Sequence, residues 1–215
     1  MKTIFDLRSA PEIKRDGPEW ANVEVDKADV FEPYGIHRDW VPVFAEQDYG
    51  PEQVALRYKE YTRGGVGFVN AYRDILTAGA GPDGAYTKIF KQMAKSDFAP
   101  CLVHCTAGKD RTGVLAALLF MLVGVRKDII AEEYTLTDLG LAELRPLFVE
   151  RLLKNPALKG NEEGVKNMVS SRKENMEATV DMIDGEFGGA EKYMKEKCGL
   201  SSAEVEQIRS NLLES

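Results

Sequence analysis

The residue types able to do chemistry are concentrated in one stretch, His104-Cys105-Thr106-Ala107-Gly108-Lys109-Asp110-Arg111-Thr112-Gly113. A thiol is followed by a glycine and then a guanidinium. The residues before it, Ala99-Pro100-Cys101-Leu102-Val103, have the composition of a short buried strand, and Val114–Arg126 that of an apolar helix. Cys105 is therefore predicted on the loop between a strand end and a helix N-terminus, where backbone N–H groups point outward and negative charge is stabilised. A free thiol titrates at about 8.5, and a helix N-terminus with a neighbouring cation lowers that by several units. The sequence supplies both neighbours.

Each residue of the loop has a reading. Gly108 lets the chain curve, so that the amides of Thr106, Ala107, Gly108, Lys109, Asp110 and Arg111 converge into an anion nest. Arg111 presents a planar fork that matches two oxygens of a phosphoryl group. A nucleophile at the floor of an oxyanion cradle suits phosphoryl transfer, which needs little beyond positioning and charge stabilisation. The Thr112 hydroxyl is expected to hydrogen-bond Cys105 and ease its departure from a thiophosphate. His104, on the opposite face of the strand from its neighbour, is expected to brace the loop from inside. Asp110 lies within the cradle, either as a proton donor or as a residue that orients Arg111. Lys109 reads as a cation at the rim favouring substrates with more than one phosphate, or as a solvated lysine. The competing reading of Cys105, a buried structural cysteine at an ordinary turn, suits a lone cysteine but not the whole string.

The elements that must hold this loop are an early strand, Thr3–Leu7, and a second strand, Asp39–Phe44, with Pro42 marking an edge or an end. Val23–Val25 is weakly strand-like and 45–51 is a polar loop. Helical spacing is predicted over Pro11–Arg15, Glu52–Tyr61, Gly67–Thr77 and Ala85–Ala94. Beyond the loop it recurs over Lys127–Leu136, Asp138–Leu153, Asn161–Val169, Arg172–Ile183, Ala190–Lys197 and Ala203–Leu213, the last introduced by a Ser201…Glu204 capping box. Strands among helices with a helical second half predict an α/β fold, a small mostly parallel sheet flanked by helices. Asp6 and Arg8 share a strand face and are expected to pair beneath the loop. Tyr58, Tyr61, Phe68 and Tyr72 recur at helical spacing and read as core rather than as a substrate groove. Cys101 reads as a small strand hydrophobe, with a protective disulfide to Cys105 as the alternative.

A net charge of −7 argues against nonspecific nucleic-acid binding. Three cysteines do not make a disulfide framework and fit a reducing, cytoplasmic setting. The longest apolar run, Val114–Val125, is too short to span a bilayer, so no stable membrane insertion is expected.

The string His104–Gly113 resembles the signature loop of the cysteine-dependent protein tyrosine phosphatase superfamily. Its Gly-Lys-Asp-Arg-Thr-Gly portion, 108–113, is similar to the atypical bacterial and fungal subgroup that acts on tyrosine, serine and phosphoinositide phosphates. Phe5-Asp6-Leu7-Arg8-Ser9 with Glu12, Val41-Pro42-Val43-Phe44, and Ser171–Met176 running on through Ile183–Gly189 to Tyr193 agree with that subgroup. The resemblance implies a single phosphatase domain over 1–215 of dual-specificity-phosphatase type, with a helical C-terminal part from 127 to 215. It implies Cys105 as nucleophile, Arg111 as phosphate clamp, a phosphotyrosine, phosphoserine/threonine or phosphoinositide substrate, and neither metal nor cofactor. It also places a carboxylate soon after the Val-Pro-Val-Phe strand, making Asp48, with Glu46 second, the expected general acid in rivalry with Asp110. Two departures stand out: the family's usual lead-in of about fifty residues before the first strand is absent, and residues 50–98 replace the variable lid of some members. The alternatives outside this class are a rhodanese-type sulfurtransferase and a non-catalytic phosphate-binding module.

Overall fold

Ile4, Phe5 and Leu7 are apolar without alternation, the pattern of a parallel strand covered on both faces, and all three are buried. The computed structural model describes residues 1–14, 31–44 and 51–213. Within them, β1 (Thr3–Asp6) lies at the centre of a three-stranded parallel sheet, between β2 (His37–Trp40) and β3 (Cys101–His104). Thr3 is in register with His37 on one side and Cys101 on the other, and Asp6 with Trp40 and His104. The C-terminal ends of the strands therefore bring Asp6, Trp40 and His104 to one edge of the sheet.

The second strand lies earlier than the predicted Asp39–Phe44. Its polar residues His37, Arg38 and Asp39 hide the strand from any hydrophobicity reading. The chain nevertheless follows β1 past Trp40, since the Val41 N–H donates to the Asp6 carbonyl at 2.9 Å and the Val43 N–H to that of Leu7 at 3.4 Å. Pro42 lies between them without an N–H, and regular strand geometry stops there. The predicted strand at Val23–Val25 and the carboxylates Glu46 and Asp48 lie outside the described residues.

Helices pack around this sheet: α1 (Ala10–Lys14), α2 (Pro51–Thr62), α3 (Gly65–Gly79), α4 (Ala85–Met93) and α5 (Arg111–Leu122). They continue as α6 (Lys127–Gly140), α7 (Arg145–Leu153), α8 (Glu162–Met168), α9 (Lys173–Phe187), α10 (Ala190–Glu196) and α11 (Ser202–Leu213), so the part from Lys127 onward is helical as expected. The α3 helix buries Phe68, Ala71, Tyr72, Ile75 and Leu76, an i, i+3, i+4, i+7, i+8 stripe. The α5 helix, apolar nearly all round, buries Val114, Leu115, Ala117 and Leu118 at the centre of one connected core. Burial of each of the larger side chains, Val114, Leu115 and Leu118, contributes about 1.5–3 kcal/mol of transfer free energy, which fixes α5, and with it the Cys105 loop, against β3. The predicted helix Asp138–Leu153 is two helices. Gly140 closes α6, and Pro146, which lacks an N–H and would clash with the carbonyl four residues back, is tolerated only in the first turn of α7. The Ser201 capping box is present: the Glu204 N–H donates to Ser201 Oγ at 3.2 Å and the Ser201 N–H to Glu204 Oε2 at 2.7 Å. Among the described residues no helix is long and apolar enough to cross a membrane.

Candidate active site

The loop from β3 to α5 begins with His104 and Cys105. Gly108 takes φ +69°, a left-handed conformation that L-residues adopt only at a cost, and this turns the chain back toward the helix. Helical hydrogen bonding starts late: the Gly113 N–H donates to the Lys109 carbonyl at 3.1 Å and that of Val114 to Asp110 at 2.9 Å. A helix start leaves its earlier N–H groups for an anion. Cys105 is buried, at 6% exposure, at the base of this loop. Its neighbour His104, with a side chain 31% exposed, sets Nδ1 3.1 Å from the Cys105 carbonyl and Nε2 3.7 Å from Asp6 Oδ1.

Asp6 is fully buried and paired beyond expectation. Arg8 Nη2 donates to it at 2.9 Å and the Arg8 backbone N–H at 3.0 Å, and Arg38 from the edge strand adds a further ion pair. Burial pushes the Asp6 carboxyl up, but the hydrogen bonds from Arg8 and Arg38 outweigh it, and the group is held below its ordinary value.

Arg111 is oriented by a residue that the motif does not contain. Its Nη1 and Nη2 donate to the two carboxylate oxygens of Glu12 at 2.8 and 2.7 Å, and Nη1 also reaches the Leu7 carbonyl at 3.2 Å. The Thr106 hydroxyl donates to the same carboxylate and accepts from Arg111 Nη2 at 3.3 Å. Burial pushes the Glu12 carboxyl up, and the Arg111 guanidinium with the Thr106 hydroxyl and the Ser9 amide outweighs that, holding it far below the usual carboxylate range. One sequence signal for Glu12 existed. Ser9-Ala10-Pro11-Glu12 is a capping box at the start of α1, and the Ser9 N–H and hydroxyl both reach Glu12 Oε2 at 2.9 Å. Read alone, it predicts a helix start and says nothing about a partner in the loop.

Three expectations for the loop are corrected. Lys109 is not at the rim: it is 4% exposed, its ammonium lies 4.6 Å from the centre of the Phe68 ring and 5.6 Å from that of Tyr61, and it donates to Asp110 Oδ1 at 2.7 Å. Burial alone would lower its pKa, yet the facing Asp110 carboxylate and Tyr134 raise it. The Thr112 hydroxyl does not reach Cys105; it is buried and has no hydrogen-bond partner among the described residues. Cys101 cannot form a disulfide with Cys105, because β3 is extended between them. At about 3.3 Å per residue their Cα atoms stand roughly 13 Å apart, beyond the reach of a disulfide. All three cysteines are free.

Asp110 precedes α5 without capping it, and its Oδ1 accepts from both Lys109 and, at 2.9 Å, the Tyr72 hydroxyl. Tyr72 in turn lies 2.7 Å from the Tyr134 hydroxyl. Thr106, Ala107, Lys109, Asp110 and Arg111 border a cavity of about 440 Å³, whose other walls come from α1, α2, α7 and the end of α8, with Phe44, Ile75 and Leu141. Phe68 and Tyr72 are core residues as expected, whereas Tyr58 and Tyr61 line the cavity.

A family model described as the tyrosine phosphatase family matches residues 1–214. The chain is 31% identical to a protein of Nostoc commune named tyrosine-protein phosphatase, over 59% of this chain and 44% of that one. It is 25% identical to the triple specificity protein phosphatase PtpB of Mycobacterium tuberculosis, over 98% of this chain and 81% of that one. The chain thus matches less than half the length of the Nostoc protein and most of the mycobacterial one.

Proposed function

The chain belongs to the tyrosine phosphatase family, and from that premise we propose that it is a metal-independent phosphomonoester hydrolase acting on phosphotyrosyl proteins through a phosphocysteine intermediate. The observation that carries the reading is the placement of Cys105 at the base of a loop whose guanidinium, Arg111, borders the cavity and is held there by two hydrogen bonds that it donates to Glu12. The family gives no support to the sulfurtransferase alternative. Three free thiols accord with a reducing, cytoplasmic setting for the reaction.

The Cys105 sulfur attacks phosphorus and a P–S bond forms as the P–O bond to the leaving group breaks. The equatorial oxygens are held by the loop amides and the Arg111 fork, and the leaving oxygen takes a proton from a carboxylic acid. Water then attacks the phosphocysteine, gives a proton to that carboxylate, and the P–S bond breaks to release inorganic phosphate and the thiolate. Asp110 is our choice of acid, with Asp48 the alternative. It borders the cavity, and the Lys109 ammonium and the Tyr72 hydroxyl both donate to Oδ1, which fixes the carboxyl group in place. Tyr58, Tyr61 and Phe148 give the cavity an aromatic lining that suits an aryl phosphate.

Cys105→Ser should abolish hydrolysis of p-nitrophenyl phosphate; parental turnover in that variant would defeat the mechanism. Asp110→Asn should slow esters with poor leaving groups by about 10²–10⁴-fold and p-nitrophenyl phosphate much less. The same pattern in Asp48→Asn alone would transfer the role. A turnover panel of phosphotyrosyl, phosphoseryl, phosphothreonyl and phosphoinositide substrates tests the proposed preference.

A further inference from the structure

We propose that Tyr72 and Tyr134 are positioning residues of the phosphatase reaction: with Lys109 they close a buried ring of hydrogen bonds onto Asp110 and make it a stronger proton donor to the leaving group. The proposal rests on the phosphatase reading, with Asp110 as the acid, and adds two residues that lie outside the loop motif.

The directions around the ring follow from which groups carry hydrogens. A carboxylate can accept but not donate, so the single hydrogen of the Tyr72 hydroxyl goes to Asp110 Oδ1, at 2.9 Å. The Tyr72 and Tyr134 oxygens lie 2.7 Å apart, and the hydrogen between them must then belong to Tyr134. The Tyr134 oxygen accepts from Lys109, whose ammonium also donates to Asp110 Oδ1 at 2.7 Å. Lys109 thus reaches Asp110 twice, once directly and once through two hydroxyls whose bonds all point the same way. Hydrogen bonds in such a chain polarise and strengthen one another. Tyr72 and Tyr134 are buried, as is Lys109, whereas the Asp110 side chain is partly exposed at the cavity. The ring is therefore sealed behind the one member that can meet a substrate.

Packing holds the two tyrosine rings independently of their hydroxyls. Tyr72 meets Phe68, Tyr61 and Tyr134 edge to face, with ring centres 5.7, 6.4 and 6.5 Å away. Tyr134 lies against Gly113, where an added Cβ would come within 3.3 Å of its ring, so the last glycine of the loop motif admits that ring beside the first turn of α5. The titratable and charged groups around Asp110 are Cys105, Lys109 and Arg111 of the loop, Tyr61 on α2, Tyr72 on α3, Tyr86 on α4 and Tyr134 on α6. Glu12 on α1 is bonded to Arg111, and the Tyr86 hydroxyl donates to the Arg111 carbonyl at 2.6 Å. Hydrogen bonds to a carboxylate favour its ionised form. That is the form Asp110 takes as its O–H bond breaks, the proton passes to the leaving oxygen and the electron pair stays on the carboxylate. Loss of a donor leaves a weaker acid, which transfers its proton more slowly and retains it to higher pH.

The test is the pH profile of kcat/KM for phenyl phosphate, with a poor leaving group, and p-nitrophenyl phosphate, with a good one, in the parent, Tyr72→Phe and Tyr134→Phe. With phenyl phosphate, Tyr72→Phe should lower the plateau about threefold to tenfold and move the descending limb, on which the acid loses its proton, up by about half to one pH unit. Tyr134→Phe, one bond further from the carboxylate, should change both in the same sense by less. The plateau for p-nitrophenyl phosphate should fall much less, because its leaving group needs little protonation. A loosened fold would instead slow both esters alike without moving the limb. In an Asp110→Asn background the limb shift and the leaving-group dependence produced by either substitution should vanish. An unmoved limb in both variants, or an undiminished effect in the Asp110→Asn background, overturns the positioning role and leaves the phosphatase reading intact. A parent that hydrolyses neither ester overturns both.

Discussion

Replacing Glu12 by Gln separates two opposed roles for the carboxylate that holds Arg111. As a positioning residue it keeps the guanidinium aimed at the cavity; as a competitor it would occupy a fork that the substrate needs. The bonds at 2.8 and 2.7 Å are charge-assisted and bidentate, and the Arg111 side chain is only 12% exposed. Gln retains one acceptor, turns an amide N–H₂ toward a guanidinium that already donates, and removes the charge. One charge-assisted bond lost, at about 1.5–3 kcal/mol, sets an expected fall in kcat/KM of about 10–150-fold for Glu12→Gln. Affinity for vanadate should fall in parallel, since it depends on the same fork. The assay is steady-state hydrolysis of p-nitrophenyl phosphate with vanadate inhibition for parent and variant at one pH. An unchanged kcat/KM with tighter vanadate binding would refute the positioning role and make Glu12 the competitor. The folding equilibrium gives a second readout. The Glu12 carboxyl is lowered in the folded state, so its contribution to stability is fully present above its unfolded pKa of about 4.5 and is lost as pH falls toward the folded value. The stability gap between parent and Glu12→Gln should therefore be constant near neutrality and close progressively in acid.

Lys109→Met should destabilise the fold by about 2–3 kcal/mol in urea titration, somewhat below the usual cost of breaking a buried pair because the Asp110 side chain keeps 25% exposure. The Lys109 pKa is raised on folding, so this contribution is present below about pH 10.5 and disappears as pH rises through the folded value, which alkaline denaturation of parent and variant would show. Gly108→Ala meets no atom within 4 Å of the new Cβ but demands φ +69° of an L-residue; about 1–2 kcal/mol of stability should be lost, with a larger loss of turnover if the loop relaxes. Thr112→Val removes a buried hydroxyl that has no hydrogen-bond partner among the described residues, so thermal unfolding should show unchanged or slightly higher stability. If that hydroxyl engages the sulfur only as the phosphocysteine breaks down, the variant shows a burst of phenol followed by slow turnover, and the absence of a burst removes that role.

The chemistry of the loop was legible because its parts are contiguous. Cys105, Gly108 and Arg111 act through backbone geometry that a strand, a glycine and a helix start impose locally, and no distant residue is needed to infer the cradle. Directions of side chains were less accessible. Whether Lys109 points into solvent or into the core depends on Phe68 and Tyr61 and on the tyrosines behind Asp110, all supplied by α2, α3 and α6. An ammonium beside a carboxylate in sequence reads as a solvated pair, and only the tertiary packing makes it a buried one. The edge strand escaped for a related reason. Arg38 and Asp39 carry no hydrophobic signal because the strand's role is partly electrostatic, to bring a second guanidinium to Asp6. Gly140 and Pro146 did signal a break between α6 and α7, and their meaning was hidden by apolar spacing that runs through both helices.

Glu12 is the more instructive case, since its local signal was correct and incomplete. A capping box places a glutamate at the third position of a helix with its carboxylate turned back toward the chain entering that helix. Here that chain is the end of β1, and parallel pairing in register sets β1 beside β3. The strand ends are thereby aligned, Leu7 beside the loop that follows His104, as the bond from the Leu7 N–H to the His104 carbonyl at 2.9 Å records. A carboxylate turned back at the start of α1 must then face whatever emerges from the end of β3, and what emerges is the Arg111 loop, 99 residues away in sequence. The capping box and the arginine clamp are one geometric fact: the sheet register converts a helix-start signal into a positioning residue. Breaking the cap while sparing the carboxylate, as in Ser9→Ala, should therefore loosen Arg111 as well. A fall in vanadate affinity smaller than that of Glu12→Gln but of the same sign, without loss of the folded state, is the expected result; unchanged affinity would mean that Arg111 holds Glu12 in place rather than the reverse.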